Sequence, residues 1–364
     1  MSPVRILEAI TPSRIGGAEV FVVNLCAQII KQGEKVQLWC PAGRPFVEYA
    51  RQKGFSPFTW RTLGKLDPIT VVRLARLIGR EQIDVLHTHL STASLLGAVA
   101  ARLAQKPSVA HVHGLNTATC FRYSSRVIAV SDAVRRHLVS QGIANEKITV
   151  VHNGVDLSCY QLIDVNEAKA KMGYDPNTPL FGVFGRLAPE KGQRVAIETM
   201  FLVRNEIPNA RLVIAGQGPE QESLRTCAEA LGVADQVQFA GFVQDVRQLM
   251  SACDIVIVPS LREGFGLVAV EAMALGRPVV ASATGGLPEV VVQSETGILV
   301  APNDPNAIAQ ALVDLMQDSA LRTHLGAAGR RRVEEHFDLT KQCQAILSVL
   351  KSPLAFGSTL VSNL

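Results

Sequence analysis

The stretch Ile255-Val-Ile-Val-Pro-Ser-Leu-Arg-Glu-Gly-Phe-Gly-Leu-Val-Ala-Val-Glu271 decides how this chain of 364 residues is read. Its first four residues are β-branched and apolar, the pattern of a strand buried on both faces. Gly264-Phe-Gly266 then turns the chain, and Leu267-Val-Ala-Val270 opens a short apolar helix. That order lays the N–H groups of a helix N-terminus at a strand's carboxyl end, a place suited to an anion and above all to phosphate. Glu271, about one turn into the helix, is then placed to accept hydrogen bonds from sugar hydroxyls beside that phosphate. The other reading is one carboxylate that opens a helix and one on the surface. The stretch alone leaves both open.

The spacing of Glu263 and Glu271 also counts against hydrolysis. Across a continuous helix, eight residues would separate the carboxylates by roughly 12 Å. Glycosidase pairs work at about 5–5.5 Å when retaining and about 6.5–9.5 Å when inverting. A loop at Glu263 would shorten the gap, so the spacing weighs against that chemistry without forbidding it.

Outward from this stretch, short apolar runs alternate with amphipathic ones from end to end. Strands are expected at 4–10, 35–40, 85–89, 108–113, 126–130 and 148–152, with helical patterns at 18–31, 69–80, 91–104 and 131–141 between them. The pattern restarts near Pro179, with strands at 180–184, 211–215, 237–240, 255–259, 278–281 and 297–300 and helices at 193–206 and 220–231. Such alternation implies parallel sheets wound with helices. The expectation is an α/β chain of two Rossmann-like domains facing across a cleft, residues 1–165 and 166–340. A C-terminal helix and tail, 341–364, would pack back on the first domain and fray from Ser352 on.

Composition sets the class. Hydrophobic residues make up 48% and charged residues 19%, as in a well-packed globular protein. Seven cysteines are scattered without a CxxC pair, which points to reduced thiols and a cytoplasmic location. The N-terminus, broken by Pro3, Arg5 and Glu8, reads as a first strand rather than a leader peptide. The net charge of +4 hides an asymmetry: residues 1–165 hold 19 Lys/Arg against 11 Asp/Glu, and the remainder 17 against 21. A basic half suggests an anionic partner, and peripheral contact with the inner face of an anionic membrane is one expectation. Arg122, Arg126, Arg135 and Arg136 are its densest part; an ordinary solvated face is the alternative. Aromatic residues, at 5%, do not interleave with them, so nucleic acid is not expected.

Two His-x-His pairs, His87/His89 and His111/His113, sit at predicted strand ends. Residues i and i+2 of a strand face the same way, so each pair could chelate zinc as in a metal-dependent hydrolase. No further ligand set is evident. His87 and His111 read as satisfied core histidines or as supports behind a site residue, and His113, next to Gly114, as the better site candidate.

Taken together, these segments resemble the family-4 glycosyltransferases of GT-B architecture, nearly end to end. The resemblance is carried by Gly16-Gly-Ala-Glu19, His113 at the end of Ser108-Val-Ala-His-Val-His-Gly114, Val130-Ser-Asp132 and Asn153-Gly-Val-Asp156. Gly185-Arg-Leu-Ala-Pro-Glu-Lys-Gly192, the Glu263…Glu271 pair and Gly285-Gly-Leu-Pro-Glu289 complete it. It implies a retaining hexosyltransferase that moves a sugar from a UDP- or GDP-type donor to a glycan or glycolipid acceptor, as in lipopolysaccharide or other cell-surface polysaccharide synthesis. It further implies that Arg186 and Lys191 grip the donor diphosphate, Glu263 contacts the transferred sugar and Glu271 holds the ribose. Gly266, Leu267 and Val268 would turn backbone N–H groups to phosphate, Gly16 and Gly17 would approach it from the other domain, and His113 would lie by the donor sugar. No Asp-x-Asp occurs anywhere, so no metal and no cofactor besides the nucleotide sugar are expected. A sugar-nucleotide 2-epimerase of the same architecture is the alternative, since it binds similar donors.

Overall fold

In the computed structural model, which describes residues 3–360 and side chains from 3 to 352, the chain divides into two compact units. One runs to Gly154 and takes in the chain again from Leu339; the other is Val155–Asp338. The divisions therefore fall at 154 and 338 rather than at 165 and 340. Each unit is built on one parallel sheet.

The first unit carries β1 (Arg5–Ile10), β2 (Lys35–Pro41), β3 (Phe58–Trp60), β4 (Val85–His89), β5 (Ser108–Val112), β6 (Arg126–Ala129) and β7 (Ile148–Val150). Their order across the sheet is 3-2-1-4-5-6-7. The chain thus reverses direction of travel between β1 and β4, the topological switch point where such sheets bind ligands. β3 was not expected from the sequence. Three residues are too few to show an alternating pattern, and it forms by pairing with Trp39–Pro41 at the sheet edge.

Strand periodicity sorts the core. Ile6, Val85, Val109 and Ile128 lie together with Phe21, Leu25 and Ile29 of the helix Gly17–Lys31. Leu7, Ala9 and Leu86 pack instead with Leu74, Leu77 and Leu96. The helix Leu339–Leu360 closes the first of these clusters with Leu339, Cys343, Ile346, Leu347 and Leu350, at helical spacing. Burying five such side chains contributes on the order of 10 kcal/mol before the entropy of ordering them. The helix runs on past Ser352, where fraying was expected, to Leu360; residues 361–364 lie outside the described part.

The second unit repeats the plan with β8 (Leu180–Phe184), β9 (Arg211–Ala215), β10 (Val237–Gly241), β11 (Ile255–Val258), β12 (Val279–Ser282) and β13 (Ile298–Val300). Their order is 10-9-8-11-12-13, with the switch point between β8 and β11. Every residue of β8 and β11 is buried, as a sheet covered on both faces requires.

Candidate functional site

The carboxyl ends of β8 and β11 gather most of the residues singled out in the second unit. β8 ends at Phe184, and the Gly185 N–H still donates to the Ala215 carbonyl (2.9 Å), so Arg186 leaves the sheet from a fixed point. Its guanidinium pairs with Glu190, and its carbonyl accepts from Gln193 Nε2 (2.7 Å). Lys191 ends the short turn Pro189–Lys191, and its ammonium lies 2.7 Å from Glu263 Oε2. The Ser260 hydroxyl donates to that same oxygen (3.1 Å), and the Gly264 N–H donates to Glu263 Oε1 (3.1 Å). The Leu261 N–H donates to the Glu190 carbonyl (2.9 Å), which ties the loop after β11 to the loop after β8. Arg186 and Lys191 are thus each held by a carboxylate, not presented as two bare cations.

Two glycines make this closeness feasible. Gly266 caps the helix Leu267–Ala274 with φ of 104°, a conformation L side chains rarely adopt. Gly285, at φ 56°, passes so near Glu263 that any β-carbon would run into its carbonyl oxygen; the Gly286 N–H donates to that oxygen (3.3 Å). Beyond the turn, no described group accepts from the N–H groups of Gly266, Leu267 or Val268. First-turn donors without intrahelical partners carry the positive end of the helix dipole.

Glu271 lies within that helix, and the Tyr160 hydroxyl donates to its Oε1 (3.1 Å). Desolvation pushes its carboxyl up to about 7, with the Tyr160 hydrogen bond and the charge of Arg247 pulling the other way. Burial, with the Glu271 charge, raises the Tyr160 phenol in turn. Arg247 lies over the Tyr160 ring (5.8 Å) and donates to the Cys159 carbonyl (2.7 Å). Sequence reading missed Tyr160, Arg247 and Ser260. Tyr160 and Glu271 are 111 positions apart, and no local motif links them.

In the first unit, Gly16 caps the helix Gly17–Lys31 in an extended conformation. Its N–H donates to Glu19 Oε2 (3.0 Å), a buried carboxyl whose pKa burial raises. An anion approaching this turn therefore meets a carboxylate already seated there.

The histidines form one cluster beneath that helix. Strand register sets Glu8 opposite His87, and His89 opposite His111. The two Glu8 oxygens lie 2.9 Å from His87 Nδ1 and 2.7 Å from His89 Nε2, and His89 Nδ1 lies 2.9 Å from His113 Nε2. His111 stacks on His113 (4.5 Å between centroids), and Phe21 sets its edge against both. Burial, with neighbouring histidines, lowers His89 and His111 far below the usual range, and takes His113 down to about 3. Burial thus favours the neutral form of these three rings. His111 departs from the expectation in part: it is buried and supports His113 by stacking, but neither ring nitrogen has a partner among the described residues. His113 is half-buried, with Nε2 tied to His89 and Nδ1 buried.

Ligand atoms of His87, His89 and His111 lie within 4.8 Å of one another, a spacing that raises the question of a metal. Glu8 lies within hydrogen-bonding distance of both His87 Nδ1 and His89 Nε2, and His113 Nε2 reaches His89 Nδ1. His89 then uses both nitrogens, and an ion there would have to break its bond to His113.

The family model "Glycosyl transferases group 1" matches residues 164–332, and "Glycosyltransferase Family 4" matches residues 15–158. A D-inositol 3-phosphate glycosyltransferase of Corynebacterium glutamicum is 28% identical, over 85% of this chain and 86% of that one. An Escherichia coli UDP-Gal:alpha-D-GlcNAc-diphosphoundecaprenol alpha-1,3-galactosyltransferase is 27% identical, over 85% and 87%. The Anabaena Alr3699/HepE structure in complex with UDP and glucose superposes with a TM-score of 0.86 at 27% identity, over 95% of this chain and 99% of that one. With two parallel Rossmann-like sheets and the two family models side by side along it, the chain belongs to the group 1, family 4 glycosyltransferases, retaining enzymes of GT-B fold that use nucleotide-sugar donors.

Proposed function

We propose that this chain transfers a hexose from a UDP- or GDP-type donor to a glycan or glycolipid acceptor in the synthesis of lipopolysaccharide or another cell-surface polysaccharide. One observation carries the reading: Lys191 on Glu263, beside a helix whose first N–H groups have no acceptor among the described residues. As the glycosidic bond to phosphate breaks, negative charge grows on the departing diphosphate. Arg186, Lys191 and the N–H groups of Gly266, Leu267 and Val268 stabilise it, with no metal. Diphosphate draws the two cations from Glu190 and Glu263, which leaves the Glu263 carboxylate to the transferred sugar. Glu271 accepts from the ribose hydroxyls. Gly16 and Gly17 approach the diphosphate, and Glu19 moves aside to admit it. His113 lies by the donor sugar, its ring held from behind by His89.

The acceptor class draws support from the relatives, one acting on inositol 3-phosphate and another on a diphosphoundecaprenol-linked sugar. Both acceptors carry phosphate, which matches the excess of cations in the first unit. No described helix is long and apolar enough to cross a membrane; peripheral contact with a lipid acceptor is part of the proposal.

A thermal-shift panel of uridine, guanosine and adenosine diphosphate sugars, with and without EDTA, tests the donor side. A ligand at 100 times its dissociation constant adds about 2.7 kcal/mol of stability. A shift with one base, unchanged by EDTA, is expected. No shift with any donor, or one that EDTA removes, overturns the reading. Incubation with donor alone separates the epimerase, which would convert it without an acceptor.

A further inference from the structure

Three of the four arginines in the densest basic run of the first unit have local partners. Arg135 and Arg136 both pair with Asp132, and Arg126 donates to the Glu146 carbonyl (2.8 Å). A different segment, Arg61–Arg76, is exposed, basic and apolar at once.

Leu63 is 83% exposed and Leu66 90%, the two highest values among large hydrophobic residues so described. Neither sits on a slack loop. Asp67 accepts from the Leu63 N–H (2.9 Å), the Thr70 N–H (3.0 Å) and the Thr70 hydroxyl (2.8 Å), and Trp60 Nε1 donates to Thr70 (3.1 Å). A clamped backbone therefore keeps both leucines in water. The helix Pro68–Arg80 continues the surface: Ile69 is 59% exposed and Val72 43%. Arg61, Lys65, Arg73 and Arg76 are exposed along the same segment. Its one carboxylate, Asp67, is buried in the clamp. Apolar side chains interleaved with cations, and no exposed acid, are the composition of a surface that lies in an anionic lipid interface.

Beside the leucines, at the carboxyl ends of β1–β4, lies a cavity of about 280 Å³ lined by Thr11, Arg44, Thr62, Leu63 and Thr92. It is polar, it holds one guanidinium, and it shares Leu63 with the exposed loop.

We propose that this segment docks the first unit on an anionic bilayer, with Leu63 and Leu66 in the lipid, and that the adjoining cavity takes the phosphate-bearing head of a membrane-held acceptor at Arg44. This rests on the reading that the acceptor is a glycolipid. Ile69 and Val72 lie along the interface, and the four cations meet lipid phosphates. The acceptor then need not leave the membrane to be glycosylated.

Co-sedimentation with vesicles tests the docking, using phosphatidylcholine with one quarter phosphatidylglycerol against phosphatidylcholine alone. The wild-type chain should bind the anionic vesicles, and binding should fall with salt. Leu63→Ser with Leu66→Ser should weaken it at least tenfold, as should Lys65→Glu with Arg73→Glu; neither pair should change the donor-induced thermal shift. Absence of binding to anionic vesicles, or equal binding by both variants, overturns the proposal. So does sedimentation showing a dimer that the leucine variant dissociates, which would give the patch to a second copy. For the cavity, Arg44→Ala should raise the KM for a phosphate-bearing lipid acceptor about tenfold and leave vesicle binding intact; an unchanged KM removes the cavity from the proposal. If docking fails while the donor shift persists, the donor reading stands and only the membrane reading falls.

Discussion

The two switch points of this molecule share a topology and differ in chemistry. Between β8 and β11 the chain sets Lys191 against Glu263 and Arg186 against Glu190, partly exposed and charged. Between β1 and β4 it sets Glu8 beneath a stack of histidines, closed to solvent and mostly neutral. The same fold gives each place a strand end and a helix N-terminus. What differs is the side chain two residues before or after the strand's end. Outside the sheet, charges stay partly solvated, so their pairings are exchangeable. Inside it, polar groups have only one another, and the result is a rigid network. One switch point is suited to binding charge, the other to holding geometry.

The sharpest way to break this contrast is to remove the cations. Arg186→Ala with Lys191→Ala should lower kcat/KM by roughly 10²–10⁴, from two charge-assisted contacts of about 1.5–3 kcal/mol each. Circular dichroism and melting should change little, because partly exposed ion pairs contribute little to stability. Full turnover in the double variant would remove the diphosphate role from both residues.

The histidine cluster should declare itself in acid. His89, His111 and His113 hold their pKa below the unfolded value of about 6.5, so below that pH the unfolded chain binds more protons. Their stabilising effect is present above pH 6.5 and is lost as pH falls, by up to about 1.4 kcal/mol per histidine per pH unit. Denaturant melts from pH 7.5 to 5 should show the loss, with the first unit opening before the second. A flat profile would mean that the cluster is solvated.

Glu8→Leu, by contrast, should act on stability alone. It leaves His87 and His89 without their acceptor, at a cost of about 1–3 kcal/mol for each buried group left unpaired. The melting point should fall while the shift induced by nucleotide sugar keeps its size. A change in that shift would show that the two switch points are coupled.

The smallest effect concerns Glu271. A carboxyl raised to about 7 is the stronger acceptor when ionised, so under the proposed ribose contact donor affinity should weaken as pH falls through 7, by no more than tenfold per unit. Calorimetric titration of the nucleoside diphosphate across pH 6–8 measures it, and Glu271→Gln should abolish the slope. An equal slope in that variant would assign the pH dependence elsewhere.

How much of this was legible beforehand follows from the range of the interactions. Apolar runs such as Ile255–Val258 announced their strands because burial on both faces leaves a local pattern. β3 did not, since only its pairing with Trp39–Pro41 makes it a strand. Lys191 and Glu263 were both visible as motif residues, but that one ammonium seats on one carboxylate oxygen was not. Tyr160 carried no signal at all.

The sequence by itself determined the alternation of strand and helix, the repeat of the plan, the motif residues at the strand ends and an excess of positive charge in the first half. Periodicity and glycine placement are properties of near neighbours, and those are what a sequence displays. Only the tertiary structure decided which charges cancel and which stay exposed. It paired Arg135 and Arg136 with Asp132, tied His113 to His89 and left Leu63 and Leu66 in water, because ion pairing and solvation depend on distances that folding alone creates.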